Sequence, residues 1–285
     1  MTVTLDVLVL PAFDDLAGLP SEATPWEREF SLDQTIQVPG VPNPVRYAEN
    51  GIGVVPTGVG KIAAATTTTA LLSTERIDLS EALVCSVGVA GGPPRLPVGS
   101  VVLSETIIDW DDKCRFDGET EIPLAMNPYT ENQGTFELDN TLVNKAASRA
   151  ASVDIRPNRE GASDENAAEP SLDEQPEIRT GTNLCGDELW HGRELAAQAV
   201  WLTEQYGCDS YCVTEMEDVG TASALARFDR LDQYLSIRGV SNHDRPAQGE
   251  NAKESFFGEE FESGFSLGIE NAVTVAQSVV TPRLG

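Results

Sequence analysis

Short apolar runs with the length of buried strands alternate with helical segments along most of this chain. Because strands that are separated by helices pair in parallel, this alternation predicts an α/β fold in which a mostly parallel or mixed sheet is flanked by helices. We expect one domain over residues 1–285, with ligands bound outside the carboxyl ends of its strands. The predicted strands cover 5–10, 82–87, 98–108, 209–214 and 234–240, the predicted helices 61–72, 138–152, 189–206, 221–229 and 265–280, and a hairpin is predicted around Asn50-Gly51.

Two segments lack this alternation. Residues 14–44 are polar and contain several prolines, so a long loop is predicted there. Residues 154–179 contain many acidic side chains and almost no apolar ones, which predicts a solvated insertion.

The chain is strongly acidic, with 46 Asp and Glu against 19 Lys and Arg and a net charge of −27. Such a charge repels nucleic acid and anionic membranes, so neither is an expected partner. The scarcity of lysine indicates a halophilic protein, which we expect to lose stability when molar salt is replaced by millimolar salt. No apolar run approaches the ~20 residues that span a bilayer, and the first residues do not resemble an export signal, so we expect no membrane insertion and a cytoplasmic location.

The chain has five cysteines and two histidines, and the cysteines form no Cys-x-x-Cys pair. We therefore expect neither disulfides nor a metal site.

Two glycine clusters follow predicted strands, at 58–60 and 88–92. They are consistent with tight turns, and equally with backbone that approaches a ligand closely. Neither cluster matches a fingerprint for nucleoside triphosphates or dinucleotides, so no such cofactor is predicted.

Two polar clusters end neighbouring strands, at 215–218 and 241–244. Either could be an exposed turn or a helix start. A methionine between two carboxylates, Glu215-Met216-Glu217, also suits a sugar, since carboxylates accept bonds from hydroxyls while the thioether packs on the ring.

Taken in order along the chain, these motifs resemble those of the nucleoside phosphorylase and nucleosidase superfamily. Its branch known as purine nucleoside permeases is closest. The resemblance implies the superfamily's fold, a homo-oligomer, and cleavage of the N-glycosidic bond of a purine nucleoside, with guanosine or inosine ahead of adenosine. The motifs are residues 57–61, 86–92, 185–192, 214–218 and 240–242.

The resemblance also implies roles for single residues. Glu217 would bind the ribose hydroxyls and Met216 would pack on the sugar. The base pocket would be lined by Gly91 and Gly92 and by Trp190 and His191, although Trp190 could equally be a core residue.

Asn242 would stabilise the departing base. It stands where adenosine-accepting relatives have a proton-donating aspartate, and Asp244 and His243 are the nearby groups that could supply a proton instead.

The acceptor of the sugar stays open between phosphate and water, with phosphate ahead. Arg46 and Ser86 would bind phosphate, although Ser86 stands where phosphorylases have an arginine. Asp14 would activate water in a nucleosidase. A nucleoside-binding component of membrane transport that performs no chemistry is the alternative to a glycosyl-transferring enzyme.

Overall fold

The computed structural model describes residues 2–14, 16, 18–117, 122–130, 134–157, 175–257 and 260–285. The helices are α1 (Thr24–Glu29), α2 (Lys61–Ser73), α3 (Asn140–Ala150), α4 (Arg193–Gln205), α5 (Asp218–Arg227), α6 (Ala252–Phe256) and α7 (Glu260–Val280). The strands are β1 (Val3–Thr4), β2 (Val7–Leu10), β3 (Gln34–Ile36), β4 (Val45–Tyr47), β5 (Ile52–Val54), β6 (Ile77–Asp78), β7 (Leu83–Gly92), β8 (Val101–Asp109), β9 (Lys113–Arg115), β10 (Leu124–Met126), β11 (Thr135–Glu137), β12 (Ile178–Cys185), β13 (Tyr211–Glu215) and β14 (Tyr234–His243).

The main sheet is mixed and contains β2, β3, β4, β5, β7, β8 and β11 to β14. β2 lies between β5 and β7, parallel to both, and the predicted hairpin is present as antiparallel β4 and β5. The predicted α/β class, with a mostly parallel or mixed sheet flanked by helices, is therefore confirmed in its mixed form.

Part of this sheet closes into a ring. β8 pairs with β12, β12 with β13, β13 with β7, β7 with β14, and β14 again with β8. Within the ring, Cys185 at the end of β12 is paired with both Asp109, at the end of β8, and Glu215, at the end of β13. Gly91 near the end of β7 is paired with Thr214 and with Asn242. The carboxyl ends of these strands therefore gather at one edge, which we call the carboxyl edge.

Helix α7 packs unusually close to β14 because glycines face each other across the contact. A Cβ on Gly239 would lie 2.0 Å from the carbonyl oxygen of Gly268, and a Cβ on Gly264 would lie 2.3 Å from that of Ser241. This close approach fixes β14, and with it Arg238 and Asn242, against the longest helix.

Several predicted boundaries were wrong. Residues 14–44, predicted as a loop, contain α1 and β3. The helix predicted from residue 189 begins at Arg193, and its predicted end at Gly207 is confirmed by a positive φ of 78°. Of the predicted acidic insertion, residues 158–174 lie outside the described part of the chain. Among the described residues, no helix is both long and apolar enough to cross a membrane.

Candidate functional site

Arg238 is a fully buried arginine near the end of β14, and acidic groups surround it. Its guanidinium lies 3.0 Å from Glu215 Oε2 and 3.4 Å from Glu217 Oε2, contacts Asp218 directly, and donates to Ser86 Oγ at 2.7 Å. We call these five residues the Arg238 cluster. A buried arginine without ionic partners would cost several kcal/mol of stability. The ion pairs and the hydrogen bond of Arg238 therefore hold the β13–α5 turn and β7 against β14.

Asp218 is the best-satisfied carboxylate of the cluster. It accepts hydrogen bonds from Asn183 Nδ2 at 2.7 Å and from the Tyr234 hydroxyl at 2.9 Å, besides those from Ser236 and Arg238. Burial acts to raise its pKa, but the charge of Arg238 and the hydrogen bonds from Arg238, Ser236 and Ser86 outweigh burial and hold the pKa below its ordinary value. Asp218 is therefore the ionised partner of Arg238.

In the two glutamates of the cluster burial outweighs the effect of Arg238, so the pKa of each is raised and not lowered. Burial raises the pKa of Glu215 to about 8 and that of Glu217 to about 7, against the lowering effect of Arg238. Glu215 Oε2 accepts from the backbone N–H groups of Glu217 and Asp218 at 2.7 and 3.0 Å, so it shapes the turn. Glu217 Oε1 accepts from the Gly60 N–H at 3.0 Å. Half-buried Met216 separates them, so Glu217 and Met216 stand side by side at the carboxyl edge.

The first glycine cluster binds carboxylates of the chain itself. Gly60, with a φ of 93°, turns its N–H to Glu217, and the next N–H, of Lys61, donates to Asp187 Oδ1 at 2.7 Å. Lys61 Nζ lies 2.7 Å from both Asp109 Oδ1 and Asp111 Oδ2. Although burial opposes it, this pair of aspartates raises the pKa of Lys61 above its ordinary value. The start of α2 is thus fixed over the ends of β8, β12 and β13.

The second glycine cluster lies beside Asn242. A Cβ on Gly91 would be 3.2 Å from Thr214 Cγ2 and 3.6 Å from Asn242 Nδ2, and Gly92 is buried against Val240. Half-buried Asn242 accepts from the Ser241 hydroxyl at 2.8 Å through Oδ1 and donates to the His243 carbonyl at 3.0 Å through Nδ2. The structure therefore brings together Gly91, Gly92, Asn242 and the Glu217 turn.

Asp244 lies just beyond, in a separate polar group. It is buried, accepts from the Tyr211 hydroxyl at 2.6 Å and forms an ion pair with Arg245 at 2.6 Å. These bonds fix the chain after β14, and they bind both carboxylate oxygens to neighbours.

Trp190 and His191 follow β12 and face different surroundings. Trp190 is buried between Trp110 and Tyr211, with ring centroids 5.6 and 6.2 Å away, so it is a core residue, the alternative that the sequence left open. His191 is half-buried with its ring edge-on to Phe256 at 5.6 Å, and burial lowers its pKa.

The residues expected to bind phosphate or to activate water form ion pairs and hydrogen bonds with other side chains of the protein. Arg46 forms an ion pair with Asp14 at 3.0 Å and with Glu27, and the Asp14 side chain is 40% exposed. Ser86 is buried and bonded to Arg238.

Sequence reasoning missed three groups of this edge: Arg238, the Lys61 pair with Asp109 and Asp111, and Glu22. An arginine inside the apolar run of β14 was a usable signal, because a buried strand tolerates a charge only when it is paired. Among the described residues, no group of three or more His, Cys, Asp or Glu side chains could hold a metal ion.

Known proteins resemble this chain in sequence. A purine nucleoside permease of Candida albicans is 25% identical over 296 residues, which cover 91% of this chain and 71% of that protein. A probable purine nucleoside permease of Schizosaccharomyces pombe is 28% identical over 225 residues, which cover 67% of this chain and 64% of that protein.

Solved structures resemble it in fold. A 5′-methylthioadenosine/S-adenosylhomocysteine nucleosidase from Colwellia psychrerythraea, in complex with adenine, superimposes with a TM-score of 0.67 at 19% identity, covering 100% of this chain and 97% of that one. The futalosine hydrolase of Helicobacter pylori gives a TM-score of 0.67 at 18% identity, covering 99% and 98%. These likenesses show the nucleoside phosphorylase-like fold. The family model described as purine nucleoside permease matches residues 4–283, and the chain belongs to that family.

Proposed function

We propose that this protein cleaves the N-glycosidic bond of a purine nucleoside, with water as the acceptor of the sugar. The observation that carries the proposal is the position of Gly91 at the carboxyl edge, where it contacts both Asn242 and Thr214, the residue just before the turn that holds Met216 and Glu217. In such sheets ligands bind at this edge. The fold likeness to a nucleosidase and a hydrolase supports the same reaction class.

Cleavage of this bond passes through a sugar with oxocarbenium character. Glu217, fixed by the Gly60 N–H and Arg238, would accept hydrogen bonds from the ribose hydroxyls, while Met216 packs on the sugar. Glu217→Ala would leave those hydroxyls unpaired, so we expect a loss of several kcal/mol of transition-state stabilisation.

Asn242 supports a preference for a 6-oxopurine. Its Oδ1 accepts from Ser241 and one of its two Nδ2 hydrogens goes to the His243 carbonyl, which leaves one amide hydrogen for the base. The O6 and N7 atoms of guanosine or inosine are acceptors, and negative charge grows on them as the base departs. We therefore place guanosine and inosine ahead of adenosine.

Water is favoured over phosphate by the charges around the site, which reverses the order expected from the sequence. Arg46 is engaged by Asp14 and Glu27, and Arg238, the cation that contacts Glu217, is already paired with Asp218. Binding a phosphate dianion would require one of these ion pairs to break, whereas neutral water needs no counter-charge.

The test is release of free base from inosine, guanosine and adenosine by the purified protein in molar salt, with and without phosphate. We expect guanine or hypoxanthine together with free ribose, at a rate that phosphate does not change. Release that requires phosphate and yields ribose 1-phosphate would overturn the choice of water.

The family name favours a second candidate, a nucleoside-binding component of transport. It predicts tight nucleoside binding and no free base in either buffer. The same assay therefore separates the two candidates.

A further inference from the structure

Lys61 is the first residue of α2, and it joins the loops that follow two neighbouring strands of the carboxyl edge. Its Nζ lies 2.7 Å from Asp109 Oδ1, at the end of β8, and 2.7 Å from Asp111 Oδ2, in the loop after that strand. Its backbone N–H donates to Asp187 Oδ1 at 2.7 Å, in the loop after β12. One residue therefore binds three aspartates with its side chain and its backbone.

The three aspartates are also bonded to each other. The N–H of Asp111 donates to Asp109 Oδ1 at 2.9 Å, and the N–H of Asp187 donates to Asp111 Oδ2 at 2.9 Å. The side chains of Lys61 and Asp109 are 16% and 20% exposed, so water screens their ion pair less than it screens a pair on the surface. We call Lys61 and these three aspartates the Lys61 network.

The protonation states suit this arrangement. Burial acts to raise the pKa of Asp111, but the hydrogen bonds from Lys61 and from the Asp187 N–H, together with the charge of Lys61, outweigh burial and hold the pKa below its ordinary value. Burial acts to lower the pKa of Lys61, and its two aspartate partners outweigh that effect as well. Lys61 and Asp111 are therefore both charged near neutral pH.

The Lys61 network lies next to the residue proposed to bind the ribose. Gly60 precedes Lys61, and its N–H donates to Glu217 Oε1 at 3.0 Å. A Cβ on Gly220, in the first turn of α5, would lie 2.2 Å from the Lys61 carbonyl oxygen. The start of α2 thus packs directly on the helix that follows Glu217, and a displacement of Lys61 would move both this helix contact and the N–H that Glu217 accepts.

The Gly60 N–H orients the Glu217 carboxylate more closely than the nearby cation does. Arg238 Nη1 lies 3.4 Å from Glu217 Oε2, and the same guanidinium is shared with Glu215 and Asp218. The contact with Gly60 is the shorter of the two, and its donor is held in place by the residue that follows it.

We propose that Lys61 is a positioning residue for ribose recognition. Its ion pairs with Asp109 and Asp111 hold the Gly60 N–H in place, and through this N–H they orient the Glu217 carboxylate toward the ribose hydroxyls. This assignment rests on the proposed role of Glu217. It has a specific consequence: loss of Lys61 weakens the preference for nucleosides that carry these hydroxyls.

The test compares inosine with 2′,3′-dideoxyinosine, which lacks both hydroxyls, in the wild type, Lys61→Met and Glu217→Ala. The quantity measured is the ratio of the two kcat/KM values. Because a misplacement of about 1 Å can cost about 100-fold in rate, Lys61→Met should lower this ratio at least about 10-fold, toward that of Glu217→Ala. Damage to the fold alone would lower both kcat/KM values alike and leave the ratio unchanged. Exposed Lys145 on α3 gives a matched control, Lys145→Met, which should keep the wild-type ratio.

A double variant shows whether Lys61 acts through Glu217. When Glu217 is already alanine, Lys61→Met should change the ratio by less than about 2-fold, because the carboxylate that Lys61 positions is gone. A further fall of about 10-fold in that background would overturn the assignment.

The remaining outcomes separate this assignment from the proposed function. A wild type that releases no base overturns the proposed hydrolysis, and the ratio of calorimetric affinities for the two nucleosides then tests Lys61 in the same way. A folded Lys61→Met variant with the wild-type ratio overturns the role of Lys61 alone, whereas a Glu217→Ala variant with that ratio overturns the roles of both residues. If thermal melts show that Lys61→Met does not fold, Asp111→Asn takes its place. A fall in the ratio of at least about 3-fold then supports the assignment, and an unchanged ratio overturns it.

Discussion

Replacing Glu217 by glutamine should flatten the dependence of stability on pH. Burial raises the pKa of Glu217 from 4.5 to about 7, so between these values the folded chain holds a proton that the unfolded chain has released. A group of this kind stabilises the fold at acid pH, and its contribution falls as pH rises through the folded pKa.

The magnitude follows from the two pKa values. Proton linkage with 4.5 in the unfolded chain and about 7 in the folded one gives a loss of about 2–3 kcal/mol between pH 5 and pH 8. Glutamine carries no titratable proton, so this loss should be absent from Glu217→Gln. Because the charge of Glu217 also raises the pKa of Glu215, its removal should reduce the remaining slope as well.

The assay is denaturant unfolding in molar salt at pH 5, 6, 7 and 8. The wild type should lose about 2–3 kcal/mol more of its unfolding free energy than Glu217→Gln over this range. Glu204, which is exposed on α4, provides the control Glu204→Gln, whose slope should match that of the wild type. Equal slopes for wild type and Glu217→Gln would refute the argument that this carboxyl is buried and protonated near neutrality.

Three further outcomes are expected. Arg238→Met should cost about 3–5 kcal/mol in denaturant unfolding, because it leaves buried carboxylates without their cation. Gly239→Ala should cost at least about 2 kcal/mol by the same measurement, since its Cβ would lie 2.0 Å from the carbonyl oxygen of Gly268 and would force α7 outwards. A nucleoside analogue with a protonated nitrogen in its sugar ring should bind at least about 100-fold more tightly than inosine in calorimetric titration, and equal affinities would contradict catalysis.

The strands and helices of the central fold were predictable because their sequence patterns are local. The apolar runs of β2, β7, β8, β13 and β14 are buried, and Asn50-Gly51 has a strong hairpin preference. Helix α1 was missed because it has six residues and lies within a stretch with several prolines, where tertiary packing of Trp26 and not local periodicity decides the structure. The five-strand ring could not be predicted from the sequence. It is closed by two antiparallel pairs, β13 with β7 and β14 with β8, whereas alternating strands and helices predict parallel pairs.

Residues of the site could be predicted only where they belong to a recognisable sequence motif. Glu217, Met216, Asn242, Gly91 and Gly92 were found through the resemblance, and the structure pairs Gly91 with Asn242 and with Thr214, just before the Glu217 turn. Their roles in the reaction stay predictions, as do the homo-oligomer and the dependence on salt.

Glu22 had no local signal, since its contact with Val89 joins residues 67 positions apart in the chain. Gly88 is the sequence feature that this contact requires, because a Cβ at that position would lie 2.4 Å from Glu22 Oε1. Its glycine could be attributed to a ligand, to a turn or to a neighbouring side chain, and only the structure shows that the side chain is Glu22.

The charge of the Arg238 cluster favours a reaction over binding alone. Glu215, Glu217 and Asp218 surround one arginine, with Glu22 nearby, and burial together with repulsion between these acids raises the pKa of both Glu215 and Glu217. A neutral nucleoside gains little from this concentration of buried acidic groups. The oxocarbenium-like transition state carries positive charge on the sugar, so a carboxylate-rich site stabilises it more than the substrate, and this difference lowers the barrier. A protein that only binds nucleosides would carry the same repulsion between buried acids without any gain in reaction rate. The arrangement of this cluster therefore favours catalysis over binding alone.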